Sequence, residues 1–486
     1  MLRQLVKDSA IYAVGTIASR LVGFIMIPVY TRVLTPADYG IIETIIRLVD
    51  IVGLFLALGL AEALLRHYYL AKGEEDRRRL VGTVFTLNLA VVLVGSLLVL
   101  PFSSQLAKIA FGHSRYAHYV AVSLVGMLVG SLIELPLTLW RAEGKAWRFT
   151  SVSLMKLTTQ LATNIVLVVW LRWSVWGVVL SGLINAVVWS AVLAVVVRRR
   201  YGLCWDLRWI KPVLRYGLPL VPAALSQFVL HFSDRFFLTR YVTESELGLY
   251  SLAYRFGMLV NVFYGIIVLA WGPWIFRVGV QEQGTKQIAR AASLVLVGFA
   301  CISVCISLLS GPVIHLLSSP SFWGAAFYVP PLTLAYWLFV LQGVSSAGAR
   351  IANRTDVLGV INVLSAGICL GLSVILIRYY GTWGAIWTTL LSFLVLALGS
   401  YAVSQKVFPV HYDWGSIVLS IFIQLTPLAY TGAVMNTGWS DLVVRLGLVA
   451  GTFAVAWLYL VRVRRVVAFP ETWRRKLRAR FSGVLS

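Results

Sequence analysis

Charge and cysteine are scarce in this sequence of 486 residues. Charged residues make up 13% of it, whereas soluble globular chains carry about 25%. The four cysteines, at positions 204, 301, 305 and 369, show no metal-ligand spacing and are typical of buried packing thiols. These shortages exclude a soluble enzyme and a secreted disulfide scaffold.

Nucleotide-binding and cofactor motifs are absent as well. No G-x-x-x-x-G-K-[ST] run occurs in the sequence, so ATP hydrolysis within this chain is not expected. We predict no cofactor, no metal and no catalytic residue, and hence a protein that is not an enzyme.

Hydrophobic residues, in contrast, make up 59% of the chain, and the mean hydropathy is +0.84. A membrane-spanning helix needs about 20 mostly apolar residues, because lipid cannot hydrogen-bond an exposed backbone. Fourteen segments meet this requirement: 10–34, 39–62, 81–101, 118–140, 149–171, 175–197, 213–239, 248–274, 291–309, 328–349, 357–377, 383–404, 416–434 and 444–461. The sequence therefore predicts an all-α polytopic membrane protein with about 14 transmembrane helices.

The net charge of +23 is distributed unequally between the two sides of the predicted membrane. If the N-terminus faces inward, 29 of the 42 Lys and Arg residues fall in inner segments, six in outer loops and seven within spans. Cytoplasmic loops of membrane proteins carry such an excess of Lys and Arg. We therefore predict cytoplasmic termini and a multi-pass protein of the cell inner membrane, and nucleic-acid binding is not needed to explain the charge.

The C-terminal tail, residues 463–486, is basic and amphipathic. Trp473, Leu477 and Phe481 recur every four residues, and Pro470 suits the start of a helix. This pattern predicts an interfacial helix on the anionic lipids of the cytoplasmic leaflet. A flexible basic segment that only sets the topology is the alternative.

The sequence resembles itself at a separation of 207 to 209 residues. The outer turn 31–40 aligns with 239–248 at an offset of 208, and the same offset pairs Arg47 with Arg255. Two further matches follow in order along the chain, Arg141 with Arg350 and Trp176 with Trp383. Because the repeat unit holds six spans, an even number, both halves enter the membrane in the same direction, and a substrate site is expected between such parallel repeats.

The repeat divides the chain into four parts. We expect an N-terminal six-helix lobe over residues 1–205 and a C-terminal six-helix lobe over 206–410, around a central cavity. Transmembrane helices 13 and 14 occupy 411–462, and the basic tail follows at 463–486. A duplicated bundle without a transport path is the alternative.

Seven cationic residues lie within the predicted spans, where an ionisable side chain normally faces a partner or an aqueous cavity. Arg20 lies near the middle of the first span and has no acidic residue three or four positions away. Arg235 lies within about two turns of the outer end of the seventh span. A guanidinium can give phosphate two parallel hydrogen bonds and stays charged, so both residues are candidates for binding an anionic substrate.

Arg47 and Arg255 occupy equivalent positions of the repeat. Arg47 has Glu43 and Asp50 on its own helical face, and these acids can neutralise it. Arg255 has no acid at the equivalent positions of its helix. We predict that Arg20 and Arg255 are available to bind an anion and that Arg47 is shared between pairing and binding, with a partner on another helix as the alternative for all three.

Three deep acids are candidates for coupling transport to a proton or sodium ion: Glu134, Asp234 and Asp50. Glu134 has no basic residue within one helical turn, which makes it a candidate protonation or sodium site. A salt bridge to another helix is the alternative.

Short motifs in both halves resemble a known family. The run from Tyr12 to Gly40, with Pro28, Thr31-Arg32 and Tyr39-Gly40, is similar to the opening of polysaccharide-biosynthesis flippases of the multidrug, oligosaccharidyl-lipid and polysaccharide exporter superfamily. Gly217-Leu218-Pro219 followed by Asp234-Arg235 is similar to the start of their second half. The resemblance implies a two-lobed bundle with cationic residues in its cavity, a role that Arg20, Arg47 and Arg255 fit.

The resemblance also implies a function. We expect export of a polyprenyl-pyrophosphate-linked oligosaccharide from the cytoplasmic to the outer leaflet by alternating access, with glycan assembly and polymerising enzymes as further partners. A lipid II flippase and a cation-coupled drug antiporter share the architecture and remain alternatives. A membrane glycan polymerase fits less well, because the predicted loops are short, and a scaffold without transport is not excluded by any residue.

Overall fold

The structure is a computed structural model that describes residues 26–433 and 439–466. This part of the chain consists of helices and turns, and no strand occurs in it. Its α-helices are α1 (Ile27–Val33), α2 (Pro36–Ala57), α3 (Leu60–Leu70), α4 (Glu74–Val99), α5 (Ser103–Phe111), α6 (Ala117–Ala142), α7 (Ala146–Asn164), α8 (Ser174–Tyr201), α9 (Leu207–Gly217), α10 (Leu220–Phe232), α11 (Asp234–Tyr241), α12 (Glu244–Gly279), α13 (Gly284–Leu317), α14 (Val329–Ser345), α15 (Ala347–Ile351), α16 (Thr355–Leu372), α17 (Arg378–Val407), α18 (Trp414–Ala433) and α19 (Trp439–Val466). Two 3₁₀ segments, Leu100–Phe102 and Pro320–Tyr328, and two π-helical segments, Ile165–Trp170 and Ser373–Ile377, lie between them.

Eleven helical segments among the described residues are long and apolar enough to cross a membrane, which confirms an all-α polytopic membrane protein. The first of the fourteen predicted spans, 10–34, lies mostly outside the described residues. Predicted spans eleven and twelve form one segment, Thr355–Val407, because a kink at Gly381 (φ 53°, ψ −127°) takes the place of a loop. Predicted span thirteen corresponds to a shorter apolar helix, Trp414–Tyr430.

The helices α2 and α12 begin with the same local structure. At the start of α2, the Thr35 hydroxyl accepts a hydrogen bond from the Asp38 backbone N–H (3.1 Å), and the Asp38 carboxylate accepts one from the Thr35 N–H (3.0 Å). Thr243 and Glu246 make the same reciprocal pair at α12, at 3.2 and 3.3 Å. Such a reciprocal pair is called a capping box, and each one satisfies two N–H groups that a helix start leaves unpaired.

The two π-helical segments also recur at the repeat distance. Ile165–Trp170 follows α7, and Ser373–Ile377 follows α16, so their first residues are 208 positions apart. Together with the two capping boxes, this recurrence supports the repeat read from the sequence. The lobe boundaries at residues 205 and 410 stay predictions.

Packing divides the chain into two compact units that differ from the predicted lobes. The first contains the described residues up to Arg255 together with Leu316–Ala325 and Asn362–Ser392. The second contains Phe256–His315, Ala326–Ile361 and the described residues from Phe393 onward. The repeat defines lobes by sequence similarity, whereas these units are defined by contacts, so the two divisions describe different properties.

Each unit has its own buried core. In the first unit, apolar residues of α2, α5 and α6 such as Ile45, Ala107 and Leu124 form one cluster, and a second cluster forms around α3 and α4. In the second unit, Trp337 is fully buried and donates a hydrogen bond from its indole N–H to the Leu296 carbonyl at 3.0 Å. The candidate site described below lies entirely within the first unit.

Candidate functional site

The candidate site begins where α2 and α12 cross. Gly40 of α2 and Gly248 of α12 lie against each other's backbones, and a Cβ atom on Gly40 would be 3.0 Å from the Gly248 nitrogen. A Cβ atom on Gly248 would collide with the Pro36 carbonyl. The crossing is therefore as close as backbones allow, and it brings the deep charges of the two helices within reach of one another.

The same end of α12 is held by a hydrogen bond from a loop. The Tyr116 hydroxyl donates to the Glu244 carboxylate at 2.7 Å. Burial and this bond raise the pKa of Tyr116 to about 12. The phenol therefore remains protonated and keeps donating at every physiological pH.

Four charged side chains form an alternating network beyond this crossing. The Glu43 carboxylate accepts from Arg255 Nε at 3.1 Å, and also from Arg255 Nη2. Glu43 accepts from Arg47 Nη2 at 3.2 Å, and Arg47 Nη1 donates to Asp50 at 2.8 Å. The pairing of Arg47 with acids of its own helix, predicted from their spacing, is confirmed. Glu43 is 1% exposed, so its charge depends on these two arginines.

For Arg255, which was expected to be available, the structure shows the stated alternative, a partner on another helix. Its partner, Glu43, belongs to α2, and spacing along the helix that carries Arg255 contains no information about a side chain on another helix. Arg255 also lies over the Tyr39 ring, with 5.0 Å between its Cζ atom and the ring centroid. Whether Arg255 binds substrate stays a prediction.

A second charge pair lies next to this network. Arg235 of α11 is 1% exposed and donates to the Asp234 carboxylate at 3.0 Å. Asp234 also accepts a hydrogen bond from the Tyr250 hydroxyl. Phe232 connects the two groups of charges, because its ring centroid lies 4.2 Å from Arg47 Cζ and 5.4 Å from Arg235 Cζ.

The formal charges of these two groups cancel: three arginines face three carboxylates. Coulombic attraction is strong away from water, so the six side chains hold their helices together in this conformation. Two arginine nitrogens retain hydrogen-bonding capacity, since the buried Nε atoms of Arg47 and Arg235 have no hydrogen-bond partner among the described residues. The arrangement can accept an additional anion where one of these donors or Arg255 becomes accessible.

A cavity of about 450 Å³ adjoins the network. Apolar residues of α2 and α8 form most of its wall. Its charged residues are Asp50 and Arg255, and its other polar residues are Tyr30, Tyr39, Ser123, Gln160 and Asn164. The cavity therefore combines an apolar surface with a cation and several hydrogen-bonding groups, which is typical of ligand sites.

The remaining predicted site residues lie in different surroundings. Arg20 is outside the described residues. Glu134 is exposed on α6 and lies within electrostatic range of Lys156. Of the three acids proposed for cation coupling, Asp50 lines the cavity with a side chain that is 45% exposed, whereas Asp234 is buried against Arg235 and Tyr250. In the described part of the chain no group of three or more His, Cys, Asp or Glu side chains is placed to hold a metal ion.

Sequence reasoning missed four residues of the site: Tyr39, Phe232, Gln160 and Asn164. The aromatic residues carry no distinctive signal, because aromatic side chains are common in apolar spans. Gln160 and Asn164 do carry one. They are amides in a predicted span, and the residues 208 positions later are Ile368 and Leu372.

Solved structures of transporters share this fold. A structure titled "Lipid II flippase MurJ, inward closed conformation" matches with a TM-score of 0.73 and 12% identity, over 94% of this chain and 99% of that one. An inward-facing multidrug resistance MATE family transporter of the MOP superfamily matches with a TM-score of 0.62 and 17% identity, over 80% of this chain and 94% of that one. The fold of this chain is therefore similar to that of these two transporters.

The sequence comparisons relate part of the chain to polysaccharide-biosynthesis proteins. Residues 29–269 match the model of the family described as "Polysaccharide biosynthesis protein". The succinoglycan biosynthesis transport protein ExoT of Rhizobium meliloti (strain 1021) is 23% identical over 243 residues, which are 49% of this chain and 47% of that protein. The matched region thus spans about half the length of this curated relative. The family model therefore matches about half of the chain, and this match confirms the resemblance to polysaccharide-biosynthesis proteins seen in its motifs.

Proposed function

We propose that this protein moves a polyprenyl-pyrophosphate-linked oligosaccharide from the cytoplasmic to the outer leaflet of the inner membrane by alternating access. The family match and the exporter fold support transport over covalent chemistry. The inward excess of Lys and Arg supports cytoplasmic termini. Two six-helix lobes around a central cavity form part of the proposal.

The observation that carries this proposal is the chain of charges Arg255, Glu43, Arg47 and Asp50, which reaches the cavity wall at both ends. Cations at membrane depth are costly, so they mark substrate pathways more often than packing sites. Arginine in particular fits phosphate, because its planar fork donates two parallel hydrogen bonds. Arg255 on the cavity wall therefore offers an anionic headgroup such a fork, while Asp50 lines the same wall.

In this proposal Glu43 occupies the anion position at Arg255 until the substrate binds there. It is shared between Arg47 and Arg255, so it keeps one partner when the other leaves. A pyrophosphate that binds Arg255 therefore displaces Glu43 without leaving a buried carboxylate unpaired, which would be costly. Arg20, which lies outside the described residues, is proposed as a second ligand of the pyrophosphate.

Arg235 does not bind the headgroup in this proposal. Its near-complete burial and its pairing with Asp234 leave no path for a bulky headgroup. Its guanidinium also lies 4.3 Å from the Tyr254 ring centroid, and it shares Phe232 with Arg47. We therefore assign Arg235 to positioning Arg47. Among the acids, Asp50 is best placed for cation coupling, because it lines the cavity.

Contacts with anionic lipids are also part of the proposal. The helix α9 presents Lys211 and Arg215 beside Leu207, Ile210 and Leu214 around a shallow groove. Such a combination suits the interface of an anionic leaflet. The tail predicted to make the same kind of contact lies outside the described residues from position 467 onward. Contacts with glycan assembly and polymerising enzymes stay predictions.

The experiment that tests the function measures outward movement in proteoliposomes. A polyprenyl-pyrophosphate-linked oligosaccharide is placed in the leaflet that corresponds to the cytoplasmic one, and its arrival is detected by a glycosidase added to the other side. We expect transport by the natural protein and a loss of at least tenfold in the Arg47→Gln/Arg255→Gln double variant. Arg208→Gln is the control, because that side chain is 68% exposed and pairs with the neighbouring Asp206.

Two outcomes would contradict the proposal. One is equal transport by the double variant and the natural protein, since the deep arginines would then be unnecessary. The other is the absence of glycan movement by a folded natural protein. A parallel experiment with lipid II as the cargo distinguishes the alternative flippase activity.

A further inference from the structure

The cavity beside Arg255 has one polar wall. Gln160 and Asn164 of α7 line it, together with Ser123 of α6. The two amides are joined through Ser181, whose Oγ atom lies 3.1 Å from Gln160 Nε2 and 2.7 Å from Asn164 Oδ1. These contacts fix the amides in place and leave each of them further donor or acceptor capacity.

Another residue of the cavity lining, Tyr39, carries a hydroxyl without a partner among the described residues. Tyr39 is 1% exposed, and its hydroxyl oxygen makes no hydrogen bond with any described residue. A buried hydroxyl without a hydrogen bond destabilises a folded protein, so such groups are rare outside functional sites. The Tyr39 ring lies under Arg255, with 5.0 Å between its centroid and Arg255 Cζ, so the residue that carries this hydroxyl contacts the cation that is proposed to bind pyrophosphate.

The repeat shows that the fold does not require this polar wall. The helices α7 and α16 both lead into a π-helical segment, and their ends correspond at an offset of 208. At that offset Gln160 corresponds to Ile368 and Asn164 to Leu372. The same local architecture is therefore built with apolar residues in one half and with amides in the half that has the cavity. A π-helical segment next to the amides is also frequent at functional sites.

Amide, phenol and hydroxyl side chains share one chemical property, which is that each of them both donates and accepts hydrogen bonds. They match a neutral ligand that is rich in hydroxyl groups, and a sugar is such a ligand. A cavity of about 450 Å³ is within the usual range for small-molecule sites.

We propose that this cavity is a sugar subsite, which receives the carbohydrate residue attached to the pyrophosphate while Arg255 holds the phosphate. The inference rests on the proposed function and specifies which part of the substrate lies at this site. Tyr39, Gln160 and Asn164 are its hydrogen-bonding residues, and the apolar wall faces the less polar side of the sugar ring. A lipid chain is the other occupant that an apolar wall would suit, and it is an outcome of the test.

Two sets of variants test the subsite. Tyr39→Phe removes the hydroxyl and keeps the ring under Arg255. Gln160→Ile with Asn164→Leu introduces the residues of the other repeat half. Thr158→Val is the control, because Thr158 is exposed on α7 and its hydroxyl bonds the Leu154 carbonyl of its own helix at 2.7 Å.

The measurement is the affinity of the full-length protein in nanodiscs for two carriers, a polyprenyl pyrophosphate bearing a disaccharide and the same carrier without sugar. We expect the natural protein to prefer the glycosylated carrier by about tenfold or more, which corresponds to a few hydrogen bonds. Each set of variants should lower the affinity for the glycosylated carrier by about three- to tenfold and leave that for the bare carrier unchanged. The control variant should retain both affinities.

The outcomes separate this inference from the proposed function. If the natural protein binds neither carrier, both proposals fail. If it binds the two carriers equally, or if the variants weaken both equally, the function stands and the sugar subsite is wrong. Tighter binding by the apolar variants would indicate a lipid chain in the cavity. A loss of affinity in Tyr39→Phe cannot be attributed to unfolding. This variant removes a buried hydroxyl that has no partner among the described residues, so its thermal stability should be unchanged or higher.

Discussion

Glu43 and Arg255 form an ion pair between α2 and α12, with 3.1 Å between Glu43 Oε1 and Arg255 Nε. Arg47, the residue that corresponds to Arg255 in the repeat, binds the same carboxylate at 3.2 Å. Two equivalent arginines therefore share one acid that is 1% exposed. The acid is present in only one half of the repeat, since Ser251 stands at the position that corresponds to Glu43, so Arg255 depends on a carboxylate from the other half.

A double-mutant cycle on Glu43 and Arg255 measures the strength of this pair. We expect Glu43→Gln to lower the free energy of unfolding by roughly 3 kcal/mol, because it leaves Arg255 without its carboxylate partner. Arg255→Gln should lower it by less, because Glu43 keeps its pair with Arg47. The double variant should lose less than the sum, with a coupling energy of about 1–3 kcal/mol. Thermal unfolding in detergent provides the measurement.

The exposed pair Glu75 and Arg79 provides the control cycle. Its side chains are 69% and 47% exposed and lie 2.9 Å apart, so its coupling energy should be below about 0.5 kcal/mol. A coupling of that small size at Glu43 and Arg255 would show that their ion pair does not hold the two helices together.

Gly248→Ala tests the close crossing of α2 and α12. A Cβ atom at this position collides with the Pro36 carbonyl, and relieving such overpacking costs about 1–3 kcal/mol. Gly272→Ala, in the same helix, is the control, because a Cβ atom there meets no other atom within 4 Å. We expect Gly248→Ala to lower the unfolding temperature and Gly272→Ala to leave it unchanged. Equal unfolding temperatures for the two variants would mean that the crossing is looser than described.

The ion pairs of Glu143, directly after α6, predict a pH dependence of stability. Its carboxylate binds Lys145 at 2.6 Å, Arg200 at 3.0 Å and the Tyr201 hydroxyl. Burial alone would raise the pKa of Glu143, but hydrogen bonds from Lys145 and Tyr201 and the charge of Arg200 outweigh it and hold the pKa below its usual value. Since the folded pKa is the lower one, the stabilisation is complete above the unfolded value of about 4.3 and is lost as the pH falls below it.

The measurement for Glu143 compares the unfolding temperature of the natural protein with that of Glu143→Gln at pH 7 and at about pH 3, below the unfolded pKa of about 4.3. The natural protein should be more stable at pH 7, and the difference should shrink only below about pH 4.3, as the carboxylate gains its proton. A difference that is the same at both pH values would rule out the charged form of Glu143 as the source of the stabilisation.

Much of the fold could be predicted from the sequence because a bilayer permits few structures. Long apolar runs must be helical in lipid, so the spans were visible without any tertiary information. The number of separate spans was harder to predict. The hydropathy falls between predicted spans eleven and twelve, but in the structure the two are one segment with a kink at Gly381. The capping boxes at Thr35 and Thr243 were visible as aligned turns, because each depends on residues three positions apart.

The site could be predicted only where its contacts are local. Arg47 and its acids are one helical turn apart, so their spacing was sufficient. The pairing of Arg255 with Glu43 spans 212 positions in the chain, and the burial of Arg235 depends on helices packed around it. The polar wall at Gln160 and Asn164 was recognisable only by comparing the two halves of the repeat, because single amides in a span have many structural roles.

The central claim is that an anionic headgroup takes the place of Glu43 at Arg255, and its most direct test is the affinity of the folded protein for a bare polyprenyl pyrophosphate. Glu43→Gln removes the competing carboxylate, so this variant should bind the carrier about tenfold more tightly than the natural protein, which corresponds to about 1.4 kcal/mol. Adding Arg255→Gln should abolish that gain. An affinity that does not change in Glu43→Gln, or a gain that persists without Arg255, would contradict the account.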